Sequence, residues 1–217
     1  MNYKESFIKF AADSGVLIFG DFTLKSGRKA PYFFNAGNFN TGAQLAKLGE
    51  YYAQCILENH LHPQTLFGPA YKGIPLATAT ATALNNKYSL DVNISFNRKE
   101  AKDHGEGGTI VGKKLVDGEK IVIIEDVVTA GTAIREVLPI LKSQANVDIK
   151  GMVILLDRME KGSGELSAVQ EIYKEHGIWV FPIVTVKDII KAIEDGIIEG
   201  KQYLDKMKEY RKTYGVE

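Results

Sequence analysis

The sequence holds a single cysteine, Cys55, among its 217 residues, which excludes a disulfide framework. It also lacks an apolar run of 18 residues and the pattern of a secretory signal peptide, so we expect a protein of the reducing cytoplasm. Cys55 lies in an apolar helical pattern without a histidine motif beside it. We therefore expect Cys55 to be a small core residue rather than a nucleophile.

The chain also has no net charge, because 27 basic residues balance 27 acidic ones. Such a chain has no overall field for nucleic acid or for an anionic membrane, so the expected partner is a small molecule bound by local clusters. Two nucleotide motifs are missing: the Gly-x-x-x-x-Gly-Lys-Ser/Thr loop, and a Gly-x-Gly-x-x-Gly turn between a strand and a helix. With 45% hydrophobic and 25% charged residues, the composition is that of one soluble globular domain.

The most informative segment is the apolar run 121–124, which leads into Glu125, Asp126 and a small-residue turn. Four apolar β-branched residues without alternation predict a strand buried on both faces, as in a parallel α/β sheet. The turn and the helix after it would present backbone N–H groups to an anion, while the carboxylates would accept hydrogen bonds from sugar hydroxyls or hold a metal. An ordinary crossover helix explains the turn but leaves the acid pair unexplained. We therefore interpret the segment as a phosphorylated-sugar site.

Apolar strands and amphipathic helices alternate along the rest of the chain and predict an α/β fold with a mainly parallel central sheet flanked by helices. A small N-terminal hood contains a β-hairpin at about residues 21–36. The predicted helices are 3–14, 41–60, 74–86, 133–144, 166–176 and 187–193, and the predicted sheet strands are 65–67, 92–96, 121–124, 149–156 and 179–184. We expect one domain, with the hood at about 1–40, the core at about 41–195 and a C-terminal helix at about 199–214.

Two further loops carry groups suited to anions. Segment 68–75 places Lys72 between glycines at a helix entry, where a pyrophosphate would fit, although a solvated lysine is the simpler alternative. Segment 97–108 is polar, carries three cations and a histidine, and ends in glycines, which predicts a mobile loop. Taken alone, such a loop is usually just solvated. Because the chain has two other anion-binding loops, segment 68–75 and the turn after 121–124, we favour a role for this loop in covering a pyrophosphate.

Segment 121–133 resembles the PRPP (5-phosphoribosyl 1-pyrophosphate) motif of the type I phosphoribosyltransferases. Together with segments 23–35, 71–73, 97–108 and 157–158, it makes almost the whole chain similar to the orotate phosphoribosyltransferase family. The resemblance implies the type I phosphoribosyltransferase fold and transfer of a 5-phosphoribosyl group from PRPP to orotate. The products would be orotidine 5'-phosphate and pyrophosphate, in de novo pyrimidine (UMP) biosynthesis. The acid pair is Glu-Asp here, where some relatives have Asp-Asp.

The resemblance also implies the site residues and partners. The PRPP set is Lys25, Tyr71, Lys72, Arg98, Lys99, Lys102, His104, Glu125, Asp126, Val127, Val128, Thr129, Ala130, Gly131, Thr132 and Ala133. The orotate set is Lys25, Phe33, Phe34, Thr129 and Arg158, and the catalytic set is Lys102, His104, Arg98, Lys99 and Asp126. Mg²⁺ would arrive mainly on PRPP, with no protein ligand assigned. A homodimer whose basic loops complete neighbouring sites is implied too, with no nucleic-acid or membrane partner.

Four side chains keep more than one interpretation on chemical grounds. The fork of Arg158 suits the carboxylate of a flat anion such as orotate, yet an arginine beside Asp157 and Glu160 is also typical of a salt-bridged surface. Alternation in the hairpin turns only one of Phe33 and Phe34 inward, so one packs while the other lines the pocket. His104 would donate either a proton or only a hydrogen bond.

Two other classes of function remain open. A phosphoribosyltransferase for another base would share the PRPP motif, although Arg158 and the hairpin lysine Lys25 argue against it. A PRPP-sensing regulator without activity would be expected to lack the basic loop or to carry a basic nucleic-acid face. The C-terminal segment instead spaces its tyrosines as an amphipathic helix that docks on the domain.

Overall fold

The structure is a computed structural model that describes residues 1–24, 26–102, 108–128 and 131–217, with backbone alone for residues 100–102, 108 and 132. The helices are α1 (Tyr3–Asp13), α2 (Gly42–Glu58), α3 (Gly73–Tyr88), α4 (Thr132–Gln144), α5 (Ala168–His176), α6 (Val186–Glu194) and α7 (Leu204–Tyr214). The strands are β1 (Leu17–Thr23), β2 (Lys29–Phe34), β3 (Thr65–Gly68), β4 (Asn93–Lys102), β5 (Gly108–Gly112), β6 (Lys120–Ile124), β7 (Asp148–Asp157) and β8 (Val180–Thr185).

A six-stranded sheet in the order β5-β4-β3-β6-β7-β8 forms the centre of the molecule. All neighbouring pairs are parallel except β4 and β5, so the predicted mainly parallel sheet is confirmed. Strand β6 is buried on both faces, as its uninterrupted apolar run predicts. Val122 and Ile124 belong to the core on one side, where α2, α3 and α6 pack, whereas Ile121 and Ile123 belong to the core under α4 and α5.

Strands β1 and β2 form a separate antiparallel sheet, which confirms the predicted hairpin. The hairpin begins at Leu17, four residues earlier than predicted, because Val16 and Leu17 are buried in the core and draw the chain in before Asp21. Its outer side meets the C-terminal part of the chain, where Phe19 stacks on Tyr203 with ring centroids 6.0 Å apart.

The basic segment that begins at Asn97 differs from its prediction. Strand β4 continues through it to Lys102, and β5, which the sequence did not predict, returns antiparallel from Gly108. The end of β4 is mostly polar and lacks the apolar alternation on which strand prediction depends. Strand β5 is β-branched at Thr109, Ile110 and Val111, but it is only five residues long and lies between glycines, which indicated a loop. Only residues 103–107 of the predicted loop lie outside the described part of the chain.

Helix starts follow their caps closely. Thr41 and Gln44 form the predicted capping box of α2, with the Gln44 N–H donating to Thr41 Oγ1 at 3.2 Å. Helix α5 begins two residues later than predicted because Ser167 caps it. Among the described helices, none has both the length and the apolar character required to cross a bilayer.

Candidate active site

The loops that follow β3, β6 and β7 meet at one edge of the sheet, because these neighbouring strands are parallel. Gly73, the first residue of α3, allows the loop after β3 to approach the end of β6. A Cβ atom at Gly73 would lie 2.6 Å from the carbonyl oxygen of Ile124, closer than any side chain tolerates. A glycine is thus required where the two loops touch, and the predicted proximity of the Lys72 loop to the acid pair is confirmed.

The acid pair follows β6 directly and is largely buried, with Glu125 8% and Asp126 7% exposed. The backbone N–H of Asp126 donates to Glu125 Oε1 at 3.0 Å, and the N–H of Val127 donates to Asp126 Oδ1 at 2.8 Å. Burial, followed by the charge of Asp126, raises the pKa of Glu125 to about 7. Both carboxylates are held in place by the backbone that connects them.

The exposed side chain of Lys72 reaches the acid pair, with Nζ 2.7 Å from Asp126 Oδ2. Two residues predicted to bind different parts of PRPP therefore bind each other here. A cavity of about 130 Å³ lies beside this ion pair and is lined mainly by apolar side chains of α2, α3 and the turn after β2. Its lining residues include Phe39, Leu48 and Leu76.

The basic strand β4 meets the loop after β3 at two points. Asn97 Oδ1 accepts a hydrogen bond from the Ala70 N–H at 2.9 Å, and Lys99 Nζ lies 5.2 Å from the ring centroid of the exposed Tyr71. Arg98 is half-buried, and its Nη1 is buried without a hydrogen-bond partner in the described part of the chain. Arg98 and Lys99 thus lie on the strand that contacts the loop before Lys72.

The turn that leads into α4 contains the residues predicted to bind the 5-phosphate. Gly131 caps α4 in the left-handed conformation, with φ +66°, and half-buried Val127, Val128 and Ala133 lie on either side. The predicted site residues outside the described side chains are Lys25, Lys102, His104, Thr129, Ala130 and Thr132.

Arg158 follows β7 at the same edge of the sheet, and its side chain is one-quarter exposed. Its Nε donates to Glu160 Oε1 at 2.8 Å, and its guanidinium lies 4.7 Å above the ring of Tyr32. Asp157 instead accepts the N–H of Met159 at Oδ1, at 2.7 Å. The salt bridge considered in the sequence analysis is therefore present, with Glu160, in a partly buried setting rather than on an open surface.

Phe33 and Phe34 are both half-buried. They differ in the residues that they contact, because successive side chains of a strand point to opposite faces. Phe34 packs against the core, with its ring 6.4 Å from that of Phe7, whereas the ring of Phe33 lies 5.6 Å from that of Phe22 on the hairpin. Among the described residues, no hydrogen bond or ion pair joins Arg158 to Lys72 or to the acid pair. The site residues thus form two groups, one around Lys72 and the acid pair and one around Arg158.

Three residues around the site were not singled out for a site role from the sequence. The hydroxyl of Tyr52, wholly buried on α2, donates to the backbone oxygen of Glu125 at 2.7 Å. Asn97 accepts a hydrogen bond from the loop before Lys72. Glu160 accepts one from the guanidinium of Arg158. Tyr52 fits the apolar helical pattern of α2 and Asn97 lies in a polar run, so the sequence carried no signal for these roles.

Residues 36–184, more than half of the chain, match the model of the phosphoribosyl transferase domain. The match includes the strands β3 to β7 and the loops described above. The class of the protein is therefore that of the phosphoribosyltransferases.

Full-length relatives narrow this class. The chain is 52% identical to an orotate phosphoribosyltransferase of Photorhabdus laumondii and 53% identical to one of Actinobacillus pleuropneumoniae, each over 99% of both chains. The crystal structure of orotate phosphoribosyltransferase from Francisella tularensis matches with a TM-score of 0.87 and 43% identity, over 97% of this chain and all of that one. The chain belongs to the orotate phosphoribosyltransferase family.

Proposed function

We propose that this protein transfers the 5-phosphoribosyl group of PRPP to orotate and releases pyrophosphate and orotidine 5'-phosphate, a step of UMP synthesis. The observation that carries the proposal is the buried acid pair at the end of β6, with Lys72 2.7 Å from Asp126. A carboxylate pair beside a cation provides acceptors for ribose hydroxyls and a donor for a phosphate within one small site. The names of the full-length relatives support orotate as the acceptor base.

PRPP lies along the sheet edge in this proposal. Glu125 and Asp126 accept hydrogen bonds from the ribose hydroxyls, and the turn from Val127 to Ala133 binds the 5-phosphate at the N-terminus of α4. Lys72 then leaves Asp126 for the pyrophosphate, beside Tyr71. Since the ion pair neutralises Asp126 only while the site is empty, PRPP binding frees its carboxylate for the sugar.

The donor set fits a Mg²⁺ ion that enters with its substrate. Mg²⁺ is commonly held by one or two carboxylates plus substrate phosphates, and Glu125 and Asp126 are the carboxylates at hand. Within the described residues, no cluster of three or more His, Cys, Asp or Glu side chains forms a separate metal site. When bound, Mg²⁺ would neutralise charge on the pyrophosphate. PRPP would carry the ion, and Glu125 and Asp126 would lie within reach of it or of its waters.

The chemical step is displacement of pyrophosphate from the anomeric carbon by a ring nitrogen of orotate, through an oxocarbenium-like transition state. Lys102, His104, Arg98 and Lys99 stabilise the charge that develops on the leaving group and exclude water. Arg158 binds the orotate carboxylate, while Lys25, Phe33, Phe34 and Thr129 line the remainder of its pocket. Positioning and charge stabilisation carry the reaction, and no covalent enzyme intermediate is required.

A spectrophotometric assay of orotate consumption with PRPP and Mg²⁺ tests the proposal. Uracil, adenine and hypoxanthine serve as parallel acceptors, and Arg158→Ala is compared with Arg158→Lys, which keeps the charge but loses the fork. We expect consumption of orotate alone, with activity lost in Arg158→Ala and strongly reduced in Arg158→Lys. Turnover of another base would reassign the acceptor, and PRPP binding without turnover of any base would favour a regulator.

We further propose that the protein is a cytoplasmic homodimer in which the basic loop of each subunit completes the site of its neighbour. The loop variant Lys102→Ala and the sugar-site variant Asp126→Asn, each inactive alone, are mixed under conditions of subunit exchange. Because one site of a mixed dimer would then carry neither substitution, activity should return to about one-quarter of the wild-type value for random exchange of equal amounts. No recovery despite demonstrated exchange would place the loop in its own subunit's site.

A further inference from the structure

The guanidinium of Arg158 is occupied by the protein along one side only. Nε donates to Glu160 Oε1 at 2.8 Å, and Nη2 lies 2.7 Å from the same oxygen. Nη2 is buried and makes no hydrogen bond of good geometry within the described residues, and the Tyr210 hydroxyl also interacts with the guanidinium. The ring of Tyr32 covers one face, 4.7 Å away. The guanidinium is therefore oriented by Glu160, with hydrogen-bonding capacity left for a second acceptor.

Glu160 is itself held by groups other than Arg158. Its carboxylate is 14% exposed, and Oε2 accepts a hydrogen bond from the Tyr210 hydroxyl on α7 at 3.1 Å. Arg28, in the hairpin turn, approaches Oε2 to 3.6 Å, while its own Nη1 donates to the backbone oxygen of Lys161 at 2.8 Å. The carboxylate thus connects the Arg158 guanidinium to the hairpin and to α7.

The backbone around Glu160 is fixed by the segment that follows α7. The N–H of Lys161 donates to the oxygen of Tyr214, and the N–H of Val216 donates to the oxygen of Met159, both at 2.8 Å. These two bonds enclose a bridge between Glu160 and Gly215. Residues 159–161 are therefore ordered by contacts more than 50 positions away in the sequence, so the position of Glu160 depends on the C-terminal segment.

We propose that Glu160 is a positioning residue for specificity: it fixes the Arg158 fork for the carboxylate of the acceptor base, and the segment from Tyr210 to Val216 holds Glu160 in place. The inference rests on the proposed function, since it takes Arg158 as the group that binds this carboxylate. A planar fork gives two parallel hydrogen bonds only in one orientation, so a freely rotating arginine would bind the substrate more weakly.

The test measures KM for orotate, KM for PRPP and kcat in Glu160→Gln and Tyr210→Phe, with Arg158→Ala as reference. Glu160→Gln keeps the size of the side chain but removes the charge, and we expect a KM for orotate raised at least tenfold. Tyr210→Phe removes one support of the carboxylate, so a two- to fivefold rise is expected. KM for PRPP and the inhibition constant of uracil, which lacks the carboxylate, should stay within twofold of wild type. A merely structural defect would not produce this split.

Tyr203→Phe serves as the control and should change none of these constants, because the hydroxyl it removes makes no hydrogen bond within the part of the chain that the structure describes. If Glu160→Gln fails to fold, Tyr210→Phe alone decides. An unchanged or lowered KM for orotate in both variants, with Arg158→Ala still defective, overturns this inference and leaves the proposed function standing. An unaffected Arg158→Ala overturns instead the role of Arg158.

Discussion

Glu125→Gln should change the pH dependence of stability in a way that can be calculated from the structure. Burial and the neighbouring Asp126 raise the pKa of Glu125 from 4.5 to about 7. The folded protein then binds a proton at Glu125 more tightly than the unfolded chain does, so stability falls as the pH rises from about 4.5 to about 7. Between pH 5 and pH 8 this raised pKa corresponds to a loss of about 2–3 kcal/mol in the wild type.

The glutamine variant keeps the acceptor for the Asp126 N–H but has no proton to lose. We expect the excess of its free energy of unfolding in urea over that of the wild type to grow by about 2–3 kcal/mol between pH 5 and pH 8. An exposed acid on α4, Glu136, provides the control, and Glu136→Gln should follow the wild-type profile. Parallel pH profiles for wild type and Glu125→Gln would refute the argument that burial of this carboxylate opposes its ionisation.

Three further substitutions test the site. Tyr52→Phe leaves the buried carbonyl oxygen of Glu125 without its donor, so urea denaturation should show a free energy of unfolding lower by about 1–3 kcal/mol, and KM for PRPP should rise. Tyr51→Phe on the same helix should change neither quantity. Gly73→Ala drives a Cβ into the end of β6 and should lower stability by about 1–3 kcal/mol; a wild-type melting temperature would contradict the close approach. Lys102→Ala should lower kcat much more than it weakens PRPP binding, and equal losses in both would refute a contact made mainly in the transition state.

The elements of the sheet were predictable wherever burial imposes a pattern. The apolar run of β6 and the capping box of Thr41 describe local requirements that no distant contact overrides. Strand β5 was missed although Thr109, Ile110 and Val111 are β-branched, because it is only five residues long, lies between glycines and follows a polar segment that was interpreted as a loop.

The candidate site divides in the same way. Glu125, Asp126 and Lys72 were predictable because they follow strands whose ends must meet, and the structure brings them together. Tyr52 and Glu160 were not, because their roles depend on contacts across 73 and 50 positions that no local pattern encodes. From the sequence, Arg158 could be either a substrate-binding residue or a salt-bridged surface residue. In the structure it lies at the sheet edge and also forms a salt bridge with Glu160.

The contacts of the hairpin with the C-terminal region have a kinetic consequence. Arg28 bonds to Lys161 across 133 positions, and Lys206 lies 3.0 Å from Asp21 across 185. Contacts of such long range pay a large loop-closure entropy before they contribute any stability, so they form late in folding. During refolding, the helical signal should therefore return before catalytic competence does, and the half of the site that surrounds Arg158 should be assembled last.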